Sequence, residues 1–209
     1  MKILAISDHD LPQLQNLPNL SRKYGDVDLV ISCGDLHTSY IEFVTSVLNV
    51  PFYYVRGNHD TGYRENPPGG DNLHQRFLRY KGLWMAGLEG CRRYNRGPIQ
   101  YTEAEMFAQV LSMSPGMLLR RVRWGTGVDV MVTHASPFGI HDRSDLPHVG
   151  FRAFRLLMFW YRPRYLIHGH VDVWDRRDTT WTEYLDTQVV NINPMRVLTI
   201  DVPRRRLFG

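Results

Sequence analysis

The stretch from Asp28 to Asp60, DLVISCGDLHTSYIEFVTSVLNVPFYYVRGNHD, has the pattern of a strand, a helix and a second strand. Asp28–Cys33 is a short apolar run, which predicts a buried strand. Ser39 is a suitable N-cap for a helix over Tyr40–Leu48. Phe52–Arg56 predicts the next strand. Two strands joined through a helix lie parallel in one sheet.

A further strand precedes this stretch. Lys2–Ser7 is apolar and bounded by polar residues, and Leu11–Tyr24 is helical in pattern but interrupted by prolines. The three strands therefore predict a βαβαβ unit with a parallel sheet. Functional groups in such sheets gather beyond the carboxyl ends of the strands. Asp8, Asp35 and Asn58 lie at these ends.

The remaining chain alternates apolar segments with loops. Thr61–Gln75 is predicted to be a long loop, and Thr102–Leu111 a helix with Thr102 as N-cap and Glu105 completing a capping box. Strands are predicted at Leu83–Leu88, Val128–Thr133 and Tyr165–His168, and a helix near Gly150–Tyr161. Short β-like segments follow at Val173–Arg176, Thr180–Leu185, Val189–Ile192 and Val197–Val202. The first half is thus predicted to be α/β and the last quarter antiparallel β, and two stacked sheets with helices outside accommodate both.

Composition and length are those of one globular domain covering residues 1–209. The chain is 43% hydrophobic and 22% charged, which excludes a disordered chain and a coiled coil. No apolar run approaches the roughly 20 residues of a membrane span, so no membrane partner is predicted. The start, MKILAISD, is too short for a signal peptide. Together with only two cysteines, this predicts a cytoplasmic protein.

The formal net charge of +4 comes from the second half of the chain, where residues 105–209 hold 14 basic and 10 acidic residues. Arginines supply 22 of the 25 basic residues. So small an excess does not favour nucleic acid as a partner, whereas a small anionic substrate suits arginine. Arg204–Arg206 is predicted to be a solvated terminus.

Polar residues follow the predicted strands in a recurring way, and several adjoin a glycine. Carboxylates, imidazoles and a carboxamide at one sheet edge can bind two divalent metals, which clamp the oxygens of a phosphoryl displacement. Taken alone, Asp8, Asp10 and Asp35 are better explained as turn residues, whereas Asn58, His59 and Asp60 as a unit favour chemistry. His168, inside an apolar strand, is predicted to be a packed core histidine. The groups are Asp8-His9-Asp10, Gly34-Asp35, Gly57-Asn58-His59-Asp60, Thr133-His134 and Gly169-His170-Val171-Asp172.

In order and spacing these groups resemble the calcineurin-like metallophosphoesterases, whose motifs run D-x-H, G-D, G-N-H-[DE], a lone His and G-H-x-H. The resemblance implies an α/β fold, a four-layer α/β/β/α sandwich of two stacked mixed sheets flanked by helices. It also implies two divalent metal ions. Mn²⁺ is the expected ion, with Mg²⁺, Fe²⁺ and Zn²⁺ as alternatives. The second site would take Asp35, Asn58, His134 and His170.

The first metal site departs from the family pattern. The resemblance assigns it Asp8, Asp35 and the third residue of each outer motif, which are histidines in the family but Asp10 and Asp172 here. An all-oxygen site favours Mg²⁺, Mn²⁺ or Ca²⁺ over Zn²⁺. The added negative charge would weaken this site or leave it empty until substrate binds. His9 is expected to point away from its neighbours, because side chains alternate in an extended segment.

The resemblance also implies catalytic roles. His59 would bind a phosphate oxygen or protonate the leaving group, Asp60 would hold its ring, and a metal-bound hydroxide would attack. Substrate-binding candidates lie in two loops, where an ordinary exposed loop explains them equally well. These candidates are Arg92, Tyr94, Asn95, His141 and His148.

Two functions follow. One is a metal-dependent phosphoesterase that hydrolyses a small phosphodiester or phosphomonoester. The alternative is a single-metal or non-catalytic protein that binds an anionic ligand on the same fold. The retained His59 favours the enzyme, and the two aspartate replacements favour the alternative. The oligomeric state stays open, a homodimer included.

Overall fold

The structure is a computed structural model that describes residues 1–173, 175 and 177–203. The predicted strand Val173–Arg176 lies partly outside these residues, and the terminal Arg204–Arg206 lies wholly outside them. Short 3₁₀ helices cover Pro12–Leu14 and Asp60–Arg64. The four α-helices are α1 Leu17–Tyr24, α2 Thr38–Leu48, α3 Glu103–Trp124 and α4 Arg152–Tyr161. The strands are β1 Lys2–Ile6, β2 Leu29–Ser32, β3 Phe52–Tyr54, β4 Asp71–Asn72, β5 Phe77–Tyr80, β6 Leu83–Leu88, β7 Cys91–Arg92, β8 Gln100–Tyr101, β9 Val130–Thr133, β10 Tyr165–His168, β11 Trp181–Tyr184, β12 Thr187–Asn191 and β13 Met195–Thr199.

Two mixed sheets carry the fold. The first has the order β13-β1-β2-β3-β4, and the second has the order β11-β12-β10-β9-β6-β5. β1, β2 and β3 are parallel, as the βαβαβ pattern predicts, and β13 closes the first sheet antiparallel to β1. In the second sheet β6, β9, β10 and β12 are parallel, while β5 and β11 run antiparallel at its two edges. The last quarter is therefore only partly antiparallel.

The apolar core forms three layers between four layers of structure. Ile3 and Ala5 face the second sheet, whereas Leu4 and Ile6 of the same strand face α1 and α2. Since both faces of the strand are covered, its sequence is continuously apolar rather than alternating. On the far side of the second sheet, α3 and α4 enclose the third cluster. The predicted α/β architecture of two stacked mixed sheets flanked by helices is confirmed.

Two helix predictions need correction. α2 begins at Thr38 with His37 at the N-cap, not Ser39, and His37 makes no capping side-chain bond. The capping box of α3 is present, but the helix continues through Pro115 to Trp124. It continues because Met113 and Met117 extend the buried stripe of the first turns onto the sheet. No helix in the described ranges is both long enough and apolar enough to cross a bilayer.

The loop predicted over Thr61–Gln75 contains a 3₁₀ turn and the two-residue strand β4. The strand β5 and the small β7–β8 pair are also absent from the sequence prediction. Two-residue strands carry no period-2 signal, so the sequence pattern cannot reveal them.

Candidate metal centre

Four side chains converge where the two sheets end. Asp8, Asp35, His134 and His170 each offer a ligand atom, and these atoms all lie within 4.8 Å of one another. They follow the carboxyl ends of β1, β2, β9 and β10 respectively. Stacking the two sheets therefore brings together residues that are about a hundred or more positions apart. Two carboxylates and two imidazoles suit a divalent cation such as Mn²⁺, Fe²⁺ or Zn²⁺.

Three of these residues have left-handed backbone. The φ angles of Asp8, Asp35 and His170 are 64°, 58° and 66°. Such angles are uncommon in residues other than glycine, and they occur most often at functional sites. Here each turn directs the side chain away from its strand and into the shared space.

Glycines let the loops approach closely. A Cβ on Gly57 would overlap the Asp35 carboxylate and lie 2.6 Å from His134 Cε1. A Cβ on Gly169 would overlap Ser7 Oγ and lie 2.6 Å from Asp8 Oδ2. The glycines of the G-N-H-D and G-H groups are therefore required by contact with the cluster itself.

Hydrogen bonds orient the cluster. His134 Nδ1 lies 2.7 Å from the Cys33 carbonyl, so it donates there and turns Nε2 toward the cluster. That Nε2 lies 3.3 Å from Asp35 Oδ2 and 3.1 Å from Asn58 Oδ1. The backbone N–H of His170 donates to Asp8 Oδ2 at 2.9 Å. Such outer hydrogen bonds hold metal-ligating histidines in one tautomer.

The electrostatics of the cluster fit a cation. Burial raises the pKa of Asp8. Burial alone would lower the pKa of His134, but Asp35 and Asp8 raise it to about 9. Burial acts to raise the pKa of Asp35, but the charge and hydrogen bond of His134, together with the N–H of His59, lower it by more. Burial and then His134 lower the pKa of His170 to about 3. The buried carboxylates of Asp8 and Asp35 thus keep the His134 imidazole protonated. A bound divalent cation would supply the same positive charge.

The structure gives Asp60 a different contact from the predicted one. Its Oδ2 accepts the backbone N–H groups of Gly57 at 2.7 Å and of Asp35 at 2.8 Å. No hydrogen bond joins Asp60 to the His59 ring within the described residues. Burial and the charge of Asp35 raise the pKa of Asp60 to about 6. Asp60 therefore joins two loops. The backbone N–H of the exposed His59 donates to Asp35 Oδ1 at 2.8 Å.

The predicted first site is not assembled from all its members. Asp10 lies outside the cluster, with Oδ2 2.7 Å from His37 Nδ1. Asp172 lines the cavity over the cluster, and its Oδ1 lies 2.8 Å from His9 Nε2. The expectation that His9 points away is wrong. The left-handed turn at Asp8 breaks the extended alternation, so His9 lines the same cavity.

Two of the predicted substrate-binding residues lie near the cluster. Tyr94 Oη accepts from Asn58 Nδ2 at 3.3 Å, and the His148 ring lies 4.9 Å from that of His170. The others make internal contacts. Arg92 pairs with Glu103 at 2.6 Å, and Asn95 Oδ1 accepts from Gly97 and Gln100. His141 bridges His168 and Thr182.

Sequence reasoning missed one supporting pair. Arg56, directly before the G-N-H-D group, donates two hydrogen bonds of 2.7 Å to the buried Glu89. Tyr101 Oη also donates to Glu89, at 2.9 Å. Nothing in the local sequence links positions 56 and 89, since only the stacking of the two sheets makes them neighbours.

Three cavities adjoin the cluster. One of about 260 Å³ is lined by Asp8, His9, Asp35, His59, His148, His170 and Asp172. Asp172 and Arg143 also line neighbouring cavities of about 190 and 640 Å³. Asp172 lines all three cavities, so it lies where they meet.

Two stacked mixed sheets flanked by helices, with carboxylates and imidazoles gathered at the strand ends, define an α/β protein with a candidate divalent-cation site. The chain belongs to the calcineurin-like phosphoesterase family, whose family model matches residues 1–173. Membership supports a metal-dependent hydrolase of phosphoesters in general.

One solved structure has the same fold, and a second is less similar. TT1561 of Thermus thermophilus is 17% identical, with a TM-score of 0.62 over 91% of this chain and 88% of that chain. Vps29 of Chaetomium thermophilum is 15% identical, with a TM-score of 0.41 over 92% of this chain and 72% of that chain. No curated protein matches the sequence.

Proposed function

We propose that the protein hydrolyses a small phosphorylated compound, a phosphodiester or phosphomonoester, with the help of bound divalent metal. The observation that carries this proposal is the convergence of Asp8, Asp35, His134 and His170 within 4.8 Å. Membership of the phosphoesterase family adds independent support.

Asp35, His134 and His170, with Asn58 Oδ1 beside them, would hold one metal ion. Asp8 and Asp35 would hold part of the first site, whose remaining ligands would come from the cavity wall at His9 or Asp172. Mn²⁺ is the proposed ion for this mixture of oxygen and nitrogen donors. When bound, such ions lower the pKa of water and neutralise charge on the phosphoryl oxygens.

His59 is proposed to protonate the leaving group. It lines the cavity over the cluster, and its backbone N–H is anchored on Asp35, so its ring can face a substrate beside the metal ligands. Asp60 supports this placement through the loop rather than through the ring. His148, which lines the same cavity, and Tyr94, beside Asn58, are proposed to contact the substrate.

A single-metal or non-catalytic protein that binds an anionic ligand is the second candidate. It is favoured by the contacts of the two aspartates that replace family histidines. Asp10 is held by His37 and Asp172 by His9, so neither carboxylate faces the cluster freely. A cytoplasmic location remains part of the proposal.

The test is the purified protein with its metal content measured and with Mn²⁺, Mg²⁺ or Zn²⁺ added. Its activity is followed on a nitrophenyl phosphodiester and a nitrophenyl phosphomonoester. His59→Ala should lower turnover about 10²–10⁴-fold, the range of general acid catalysis, while metal content stays unchanged.

The matched control is His37→Ala, an exposed histidine outside the cavity. Wild-type protein that binds metal yet leaves both esters intact would support the binding protein instead. Metal lost in proportion to activity in His59→Ala would make His59 a ligand and contradict the role proposed here.

A further inference from the structure

The outer faces of α3 and α4 expose large apolar side chains. In the described ranges ten large hydrophobic residues are exposed, and six of them lie on these two helices. Val122 is 80% exposed and Leu119 69%, so they project from the surface. The other four are Leu111, Leu118, Leu156 and Phe159.

These side chains form one continuous face. Leu111, Leu118 and Val122 follow one another at helical spacings of seven and four residues, so they share one side of α3. Arg121 reaches across to the carbonyls of Phe159 and Trp160, which places the end of α4 beside that side. The rings of Phe107 and Trp160 also meet, with centroids 6.0 Å apart. We call this surface the α3–α4 face.

The charge on the α3–α4 face has one sign. From Met106 to Trp124, and throughout α4, the sequence has no aspartate or glutamate. The nearby acids are already engaged, because Glu103 accepts the first N–H groups of α4 and Asp186 pairs with Arg162. Of the arginines on the two helices, Arg123 and Arg152 are exposed. The other three are engaged: Arg120 stacks on the rings of Phe77 and Trp84, Arg121 binds the carbonyls of α4, and Arg155 stacks on Tyr184.

We propose that the α3–α4 face binds the surface of an anionic lipid bilayer. Protruding leucine, valine and phenylalanine side chains can enter the boundary between headgroups and acyl chains, while arginines beside them contact lipid phosphates. Binding at the surface needs no membrane-spanning helix. It therefore replaces the expectation, drawn from the lack of a long apolar run, that the protein has no membrane partner.

A second copy of the chain fits this face less well. A two-fold dimer places the same patch on both sides, so arginine would meet arginine, with no acid in α4 or in α3 beyond Glu105. Lipid phosphate supplies the missing negative charge. The proposal goes beyond the proposed hydrolysis, since the metal cluster lies at the strand ends and the α3–α4 face lies on the outer side of the second sheet.

The test is sedimentation with phosphatidylcholine vesicles, with and without phosphatidylglycerol. The protein should bind vesicles that contain phosphatidylglycerol, and binding should weaken as salt is raised. Changing both Leu119→Asp and Val122→Asp should reduce binding at least about tenfold, since two apolar contacts are lost. Arg123→Gln should reduce binding at low salt more than at high salt.

Leu17→Asp is the matched control, because Leu17 is 55% exposed on α1 and lies in a different layer. Thermal melts check that the variants remain folded, as expected for exposed positions. The proposal is overturned if anionic vesicles are not bound, or if Leu17→Asp reduces binding as much as the double variant. It is also overturned if the double variant instead abolishes a dimer, or an acidic protein complex, seen without lipid.

Discussion

The backbone conformation of Asp8 decides whether His9 or Asp10 faces the cavity. With φ at 64°, the chain turns directly after β1, so residue 9 rather than residue 10 lines the space above the cluster. Asp172 Oδ1 then lies 2.8 Å from His9 Nε2 in that space. The chain thus keeps one imidazole near the first site, although the family's D-x-H spacing is absent.

The close approach at Gly57 leads to a prediction at this scale. Gly57→Ala should abolish metal binding and destabilise the fold by about 1–3 kcal/mol, because the added methyl group overlaps the Asp35 carboxylate. Titration calorimetry with Mn²⁺ and a thermal melt measure the two effects. Gly62→Ala is the matched control, since a Cβ at Gly62 has nothing within 4 Å. Normal metal binding by Gly57→Ala would contradict the placement of Asp35 in the cluster.

At the scale of elements, the chain after β3 is held to the second sheet by one buried ion pair. Glu89 follows β6 and is 1% exposed. Its carboxylate accepts two hydrogen bonds from the Arg56 guanidinium and one from Tyr101 Oη. The N–H of Gly90 also donates to the Arg56 carbonyl, at 2.9 Å. These bonds fix the loop that carries Asn58 and His59.

Glu89→Ala should therefore lower the free energy of unfolding by about 3–5 kcal/mol, because it leaves the guanidinium without its buried partner. It should also reduce turnover, since the loop with His59 loses its anchor. Urea denaturation and ester hydrolysis measure the two effects. Glu42→Ala, on the exposed side of α2, should change neither. A stability loss below about 1 kcal/mol would show that the pair contributes little more than a surface salt bridge.

At the scale of the whole molecule, two histidines pack together at the second sheet. His168 is fully buried, as the sequence predicts, and its Nε2 lies 3.1 Å from His141 Nδ1. Burial, and then repulsion by His141, lower the pKa of His168 to about 3. Burial, and then Arg196, lower the pKa of His141 to about 4. Both imidazoles must therefore stay neutral in the folded protein.

This pair predicts a loss of stability in acid. Well above pH 6.5 both histidines are neutral in the folded and unfolded states, so they add no pH dependence. As the pH falls from 6.5 toward 3, the unfolded chain binds protons that the folded chain excludes, and the free energy of unfolding decreases. His141→Gln should lessen this decrease, whereas His37→Gln should leave it unchanged. Urea denaturation at several pH values, with a chelator present, measures it. If the free energy of unfolding decreases equally with pH in wild type and in His141→Gln, the histidine pair is not the cause of the loss of stability in acid.

Much of the fold follows from local patterns in the chain. Apolar runs such as Lys2–Ile6 and Tyr165–His168 are strands because they are covered on both faces, and Thr102 with Glu105 marks the start of α3. The end of α3 could not be predicted, because Pro115 is a strong local signal for a break. Burial of Met113 and Met117 against the second sheet outweighs that signal.

By itself, the sequence determined the βαβαβ unit, the order of the motifs and the set of residues from which a metal site can be built. Spacing and residue type carry this information, since strands end where polar residues begin. Tertiary structure alone decided which of these residues meet. Left-handed turns at three cluster residues, and the stacking of two sheets, placed His9 toward the cavity and Asp10 toward His37. They also directed the Asp60 carboxylate to backbone N–H groups and joined Arg56 to Glu89. Local sequence cannot encode such choices, because each depends on contacts between segments far apart in the chain.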